Sequence, residues 1–114
     1  MNTNTENRTD PITVECFEKI DFKGKILTIN QDNANLEDSL KSLGFGTPIS
    51  SIRIVRKAEH TSVGTEVMLY GKPDFEGIRL PIHIDPEHRK IELPNLLEMQ
   101  QNLDFSISSI KIEN

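Results

Sequence analysis

The sequence predicts an all-β domain, a pseudo-twofold β-sandwich of two four-stranded sheets, because both halves of the chain carry the same signals. Residues 17–24 set an aromatic residue, four spacers, a second aromatic residue, one spacer and a glycine in a row, and residues 70–77 repeat this pattern at an offset of 53. A Ser-Ser pair and an alternating apolar run follow each copy, at residues 50–54 and 108–112, at an offset of 58. The chain is therefore a tandem of two units. The repeated positions are Phe17, Phe22, Gly24 and Ser51 in the first unit and Tyr70, Phe75, Gly77 and Ser109 in the second.

Composition narrows the class of protein. The 114 residues suffice for one domain, and the net charge of -5, with no long basic cluster, argues against a nucleic-acid partner. The single cysteine excludes an internal disulfide and fits a reducing cytosol. Residues 1–11 predict a disordered arm that lacks the features of a signal peptide, and no later segment resembles a membrane span. We therefore expect a soluble, cytoplasmic protein without a membrane partner.

An aromatic residue on the face opposite the apolar row of the first strand predicts the first hairpin. Residues 12–17 alternate in polarity, which places Cys16 in the buried row, as a small apolar residue rather than a reactive thiol, and Phe17 on the opposite face. Such an aromatic ring needs another surface to cover. If the chain folds back, Gly24 offers one, because glycine leaves room for close approach. We therefore predict that the ring of Phe17 lies over Gly24 and that Phe22 packs into the same corner.

The remaining elements of the first unit, residues 12–57, are two strands and a short helix. We predict strands at 25–30 and 50–57, and between them a helix with Leu36, Leu40 and Leu43 on one face that ends at Gly44. Residues 58–64 are polar and short, which indicates a connector between the units.

The second unit, residues 65–113, repeats this order with a longer loop. We predict strands at 66–70, 78–84 and 108–113, a charged loop at 85–90 and a helical segment at 93–99 with Pro94 near its first turn. Pro81 places the strand at 78–84 near a sheet edge or bulge.

The repeated pattern resembles the Greek key motif of the βγ-crystallins. It occurs twice, in the order that makes one complete two-motif domain, and the resemblance covers residues 12–113. In that family the first aromatic residue lies on a folded hairpin and the glycine permits the fold. The second serine of the Ser-Ser pair ties the hairpin down by hydrogen bonding. The resemblance assigns these roles to Phe17 and Tyr70, to Gly24 and Gly77, and to Ser51 and Ser109.

The resemblance also implies Ca²⁺ binding. Many microbial members bind Ca²⁺ through two Asn or Asp residues, two variable positions, Ser or Thr, and Ser. Ca²⁺ takes six to eight oxygen ligands, so such loops make chemical sense. The matching windows are residues 46–51 and 104–109. Gly46, Thr47 and Phe105 have lost the acidic or amide side chain, and Asp104 keeps it. We therefore predict a degenerate site, with binding weak or lost.

Each site in the family draws on both motifs. A carbonyl just after the hairpin aromatic joins the serine loop of the other unit. The weak Ca²⁺ candidates implied here are Asp104, Ser106, Ser108, Glu18, Ser50 and Gly71. No cofactor is required.

Catalytic chemistry has little support in the sequence. His60 and His88 have no Cys or His at metal-ligand spacing, and we interpret them as solvated loop residues. His83 lies five residues before His88, and nothing in the sequence supports a metal-binding pair there. Cys16 lacks the local signature of a thiol nucleophile, and no glycine-rich phosphate loop is present. We therefore predict no catalytic residue and no enzyme activity.

The function expected from these observations is a non-enzymatic structural or stress-related role. A Ca²⁺-binding or buffering protein is one alternative. A protein-interaction or protease-inhibitor module on the same fold is another, although such inhibitors are typically exported and cysteine-bridged. The long loop between His83 and Asn102 is the first candidate surface for a protein partner, and a homodimer stays open.

Overall fold

The computed structural model describes residues 12–46, 48–56, 65–84, 90–104 and 106–113. Within these ranges the chain forms seven strands and two helices. In chain order they are β1 (Ile12–Lys19), β2 (Lys23–Ile29), α1 (Leu36–Leu43), β3 (Ser51–Arg56), β4 (Thr65–Lys72), β5 (Glu76–Ile84), β6 (Lys90–Leu93), α2 (Leu97–Asn102) and β7 (Ser109–Glu113). The predicted arm at residues 1–11 and the whole of the predicted connector at 58–64 lie outside the described residues.

The strands form two antiparallel sheets, with the orders β2-β1-β3-β6 and β5-β4-β7. The first sheet combines both units, because β3 of the first unit pairs with β6 of the second, for example at Ile54 and Ile91. Buried residues of the two sheets form a single apolar cluster between them. This arrangement confirms the predicted all-β sandwich.

A short polar segment takes the place beside β7 where a fourth strand of the second sheet would lie. Asn33 forms an isolated bridge with Ile110, donating its N–H to the Ile110 carbonyl at 2.8 Å and accepting the Ile110 N–H at 2.9 Å. Next to it, Asp32 Oδ1 accepts the N–H of Ile112 at 2.8 Å. A side-chain carboxylate thus replaces the backbone carbonyl of a regular strand. For this reason the described part of the second sheet has three strands and one bridge.

The core follows the alternation of the strands. Ile12, Val14 and Cys16 of β1 all have 0% exposure, as do Ile52, which pairs with Cys16 from β3, and Ile110 of β7 in the other sheet. Burial raises the pKa of the Cys16 thiol to about 12. The thiol is therefore protonated at neutral pH, and the thiolate that acts as a nucleophile does not form.

The helix of the first unit ends at Gly44, as its sequence predicts, and its first turn is capped by a side chain. Asn35 Oδ1 accepts the N–H of Asp38 at 3.4 Å, which caps the first turn. Gly44 ends the helix in the left-handed conformation, with φ of 79°, and its N–H points to the carbonyls of the last turn. Leu36 is fully buried, whereas Leu43 is 41% exposed, so the predicted leucine face covers the core only in part.

The second unit differs from the prediction after residue 89. The sequence predicts a loop through Lys90 and a helix from Leu93, whereas the structure has β6 at Lys90–Leu93 and begins α2 at Leu97. Pro94 explains the difference, because the residue before a proline is disfavoured in the helical conformation, so Leu93 stays extended. Pro94 therefore precedes the helix. Pro81 lies in β5, an edge strand as predicted.

Candidate functional site

Each unit has a hairpin corner, residues 17–24 in the first unit and 70–77 in the second, where two strands fold back on each other. The turns place non-glycine residues at positive φ, with values of 59° and 61° for Asp21 and Phe22 and of 61° and 59° for Asp74 and Phe75. A bulky residue rarely adopts this backbone conformation. The hairpin corners therefore depend on tertiary contacts.

A buried serine at the start of a neighbouring strand, β3 in the first unit and β7 in the second, supplies part of those contacts. In the second hairpin corner, Ser109 Oγ accepts the N–H of Phe75 at 3.0 Å and donates to the Lys72 carbonyl at 2.7 Å. Ser51 makes the equivalent bonds in the first hairpin corner, at the same distances of 3.0 and 2.7 Å. Both serines have 0% exposure. Each serine thus ties its hairpin to the adjoining strand.

The two aromatic rings of each hairpin corner pack edge to face. Their centroids are 5.5 Å apart for Phe17 and Phe22 and 5.7 Å apart for Tyr70 and Phe75. Such pairs are worth about 0.5–1.5 kcal/mol beyond the burial of their area. This packing offsets part of the backbone strain at Phe22 and Phe75, which carry the second ring of each pair.

A cation lies over the rings of each hairpin corner. Arg53 Cζ is 4.7 and 5.3 Å from the two ring centroids of the first corner, and Lys111 Nζ is 5.0 Å from the ring centroid of Phe75. At exposed sites such contacts contribute about 0.5–1 kcal/mol. The sequence patterns described above predict no role for Arg53 or Lys111. A signal was present, however, because a basic residue stands between the two isoleucines of both repeated runs.

The glycine of the first hairpin corner allows the opposite strand to approach closely. A Cβ placed on Gly24 would lie 3.0 Å from Glu18 Cβ and 3.1 Å from Lys19 Cγ, and the glycine has φ of 82°. The sequence predicts that the ring of Phe17 covers this glycine. In the structure the nearest neighbours of the missing Cβ are Glu18 and Lys19, and the ring of Phe17 packs against Phe22.

The second serine loop, residues 104–109, brings three predicted ligand residues together. Ser108 Oγ donates to the carbonyls of Ser106 at 3.0 Å and of Gly71 at 3.2 Å. The resemblance implies that Gly71 joins the serine loop of the other unit, whereas the structure places it against Ser108 of its own unit. The reason is the β4–β7 pairing, which aligns Tyr70 with Ser109 and so brings the residues just beyond them together.

The first serine loop, residues 46–51, has a similar but more enclosed arrangement. Ser50 Oγ donates to the Pro48 carbonyl at 3.1 Å, and Ser50 is 2% exposed. The side chain of Glu18 contacts the same loop, because its Oε2 accepts the N–H of Gly46 at 2.9 Å while its Oε1 accepts the N–H of Lys25 at 3.3 Å. Glu18 thus fastens this loop to β2.

The two serine loops meet across an open groove. Pro48 of the first loop and Asp104 and Ser106 of the second line a cavity of about 570 Å³. Asp104 follows α2 with φ of 58°, and its N–H donates to the Gln101 carbonyl at 3.2 Å. Gln100, which sequence analysis does not single out, lines the same cavity and is 5% exposed. The candidate site therefore lies between the units, at the ends of both loops.

The donor atoms at the serine loops do not fit a tight Ca²⁺ site. The oxygens that cluster at the second loop are a hydroxyl and two carbonyls, all uncharged. At the first loop they are a hydroxyl and one carbonyl, while the nearby Glu18 carboxylate accepts the N–H groups of Gly46 and Lys25. In the part of the chain that the structure describes, no three His, Cys, Asp or Glu residues are grouped so as to hold a metal ion. Ca²⁺ affinity depends on the number of ligands and on their charge.

Glu18 should make the stability of the first serine loop depend on pH. Its hydrogen bonds from Gly46 and Lys25 lower the pKa of this carboxyl below its ordinary value. A lowered folded-state pKa stabilises the fold above the unfolded-state pKa, and this contribution is lost as pH falls through the folded-state pKa. We expect Glu18→Gln to lower the unfolding midpoint at pH 7 and to differ less from the wild type near about pH 3.

Thermal unfolding of both proteins across this pH range measures the effect. Glu76→Gln, which changes an exposed carboxyl, is the matched control and should show little pH-dependent difference. A difference for Glu18→Gln that stays constant with pH would show that the charge of Glu18 is not what stabilises the loop.

Other reactive groups lie apart from this site. His83 Nδ1 is 3.8 Å from Glu66 Oε2 on the surface of the second sheet, with 58% of the histidine side chain exposed. His60 and His88 lie outside the described residues. Among the residues that the structure describes, neither helix is long and apolar enough to cross a membrane.

The architecture is that of an antiparallel β-sandwich made of two similar units. A comparison with protein-family models and with curated proteins finds no match. A search of solved structures finds a βγ-crystallin from Ciona intestinalis, with a TM-score of 0.52, 20% identity and coverage of 90% of this chain and 99% of that chain. Spherulin 3A from Physarum polycephalum has a TM-score of 0.53 and 17% identity, covering 100% of this chain and 90% of that chain. A structure on the evolution of the eye lens βγ-crystallin domain fold has a TM-score of 0.58 and 14% identity, covering 100% of this chain and 93% of that chain.

These similarities identify the particular sandwich. They extend over nearly the whole length of both chains at low sequence identity, so they establish the fold. The protein has the βγ-crystallin domain fold, which confirms the resemblance predicted from the two aromatic and glycine patterns.

Proposed function

We propose that this protein is non-enzymatic, has a structural or stress-related role, and carries a degenerate Ca²⁺ site that binds weakly or not at all. The observation that carries this proposal is the state of the candidate ligand oxygens. Ser50 Oγ bonds to the Pro48 carbonyl of its own loop at 3.1 Å, and Ser108 Oγ bonds to the carbonyls of Ser106 in its loop and of Gly71 in β4 at 3.0 and 3.2 Å. No carboxylate takes part in these bonds. Hydrogen bonds within the protein therefore hold the two serine loops in place.

The absence of a reactive centre in the described residues also favours a structural role. Cys16, with 0% exposure and a raised pKa, is not available as a nucleophile. The features that the two units share serve packing, namely the edge-to-face ring pairs, the overlying cations and the buried serines. These contribute to rigidity rather than to chemistry.

A weak Ca²⁺ site at the second serine loop is the second candidate function. Ser108 Oγ already lies 3.0 Å from the Ser106 carbonyl oxygen and 3.2 Å from the Gly71 carbonyl oxygen, distances that neighbouring oxygens around one cation could have. Three uncharged ligands are half of the minimum of about six that Ca²⁺ prefers, so water would have to supply the others. Such a site would bind weakly.

Thermal unfolding with chelator and with Ca²⁺ decides between the two. At about 5 mM Ca²⁺, a site with a Kd of about 5 mM would stabilise the protein by RT ln 2, about 0.4 kcal/mol. We therefore expect the midpoint of the wild type to rise by no more than about 2 °C. A rise of about 10 °C would correspond to tight binding and would overturn the degenerate-site proposal.

Restoring the motif supplies the positive control. Thr47→Asp and Phe105→Asp, combined, return a carboxylate to the second position of both motif windows. If this gives a site with a Kd of about 50 µM, about 5 mM Ca²⁺ adds about 2.7 kcal/mol of stability. A restored variant that responds while the wild type does not supports loss of ligands as the cause. No response in either protein would mean that these loops do not form the Ca²⁺ site of this fold.

A further inference from the structure

The side chain of Gln100 connects the two serine loops directly. Its Nε2 donates to the Ile49 carbonyl at 2.8 Å and to the Leu96 carbonyl at 3.2 Å, while its Oε1 accepts the N–H of Ile107 at 3.0 Å. Ile49 immediately precedes the Ser-Ser pair of the first unit, and Ile107 precedes that of the second. One amide group therefore spans both units.

The burial of these atoms makes the connection strong. Gln100 is 5% exposed, Ile49 0% and Ile107 4%. Both amide hydrogens and one lone pair of the carbonyl oxygen are used. Because water does not compete at such positions, removing the amide would leave a buried carbonyl and a buried N–H without a partner, which costs more than the bonds themselves contribute.

The hydrogen bonds of the Gln100 side chain have no counterpart at the equivalent position of the first unit. Leu36 and Leu96 are equivalent, because each donates its N–H to a serine-loop carbonyl of the other unit, Leu36 to Ser108 at 2.9 Å and Leu96 to Ser50 at 2.8 Å. Four residues further along, the first unit has the apolar Leu40 where the second has Gln100. The polar side chain therefore occurs in the second unit only, while the first unit accommodates a leucine at the equivalent position.

We propose that Gln100 is a positioning residue that fixes the distance between the two serine loops without a metal ion. A cation bound at ligands from both loops would link the same two segments, and the amide makes that link through hydrogen bonds. The inference rests on the proposed function in one respect, namely that Ca²⁺ is not what holds the loops together.

Amide hydrogen exchange measured by NMR in chelator tests this role. Gln100→Leu places the residue of the first unit at the equivalent position, and we expect exchange of the Ile107 N–H to accelerate by about 10- to 100-fold relative to that of core amides such as Leu69. Gln100→Glu keeps an oxygen that can accept from Ile107 and should show a smaller change. Gln101→Leu, an exposed neighbour in the same helix, is the matched control and should leave Ile107 unchanged.

The outcomes separate this inference from the proposed function. If the wild type protects Ile107 in chelator and Gln100→Leu protects it equally, Gln100 is not the positioning residue, and the proposed function stands. If the wild type protects Ile107 only when about 5 mM Ca²⁺ is added, the metal is the link and both proposals are wrong. Should Gln100→Leu fail to fold, the wild type decides, since the side-chain amide protons of Gln100 must exchange at least about 10-fold more slowly than those of Gln101.

Discussion

Ser109→Ala is expected to destabilise the protein by about 3 kcal/mol, because it leaves a backbone N–H and a backbone carbonyl without their partner at a partly buried position. The hydroxyl accepts from Phe75 at 3.0 Å and donates to Lys72 at 2.7 Å, and the serine has 0% exposure. The loss also releases Phe75 from the contact that holds its positive φ of 59°. Urea unfolding at equilibrium measures the change in free energy.

Neighbouring serines provide the controls. Ser108→Ala removes a hydroxyl that is less buried and bonds to the carbonyls of Ser106 and Gly71, so we expect a loss of at most about 1 kcal/mol. Ser51→Ala should match Ser109→Ala, since its bonds have the same lengths of 3.0 and 2.7 Å. Equal effects for Ser108→Ala and Ser109→Ala would contradict the role of the second serine in tying down the hairpin.

Gly77→Ala is expected to cost about 2–4 kcal/mol, from the strain of the left-handed conformation and from steric overlap. Gly77 has φ of 81°, and an added Cβ would lie 2.9 Å from Lys72 Cγ and 3.3 Å from the Lys72 backbone nitrogen. The backbone atom cannot move aside as the end of a flexible side chain can. The midpoint of thermal unfolding should fall by about 10 °C or more.

Gly46→Ala is the matched control for this substitution. A Cβ there would meet Glu18 Oε2 at 3.6 Å, which is an ordinary contact, and the position has no positive φ. We expect a change within about 0.5 kcal/mol, typical of surface sites. If Gly77→Ala were as mild as Gly46→Ala, the second hairpin corner would have to tolerate a side chain, and the argument for glycine there would be wrong.

The hairpin corners could be predicted from the sequence because their determinants are local and repeated. An aromatic residue off the core row, a glycine seven residues later and a Ser-Ser pair appear twice, and the pairing of Phe17 with Phe22 recurs as that of Tyr70 with Phe75. The alternation of β1 likewise identified the buried Cys16. Patterns that repeat at a fixed spacing predict both where an element lies along the chain and which of its side chains are buried.

Features that depend on contacts between the units could not be predicted in this way. The strand β6 has four residues, too few to show a period, and it is a strand because β3 lies beside it. The bridge at Asn33 takes its conformation from Ile110, far along the chain. Gln100 gave no signal either, because its partners are backbone groups, which every residue has.

Strand exchange between the units has a consequence for synthesis on the ribosome. The first sheet lacks its outer strand until Lys90–Leu93 has been made, and Asp32 meets the N–H of Ile112, 80 residues later, only when the last strand has left the exit tunnel. The nascent first half therefore exposes an unpaired strand edge until β6 has been made, a state that is prone to aggregation. The second sheet and the contact of Asp32 with Ile112 are completed only once β7 is present, so a premature stop before Ser109 would leave both halves without native contacts.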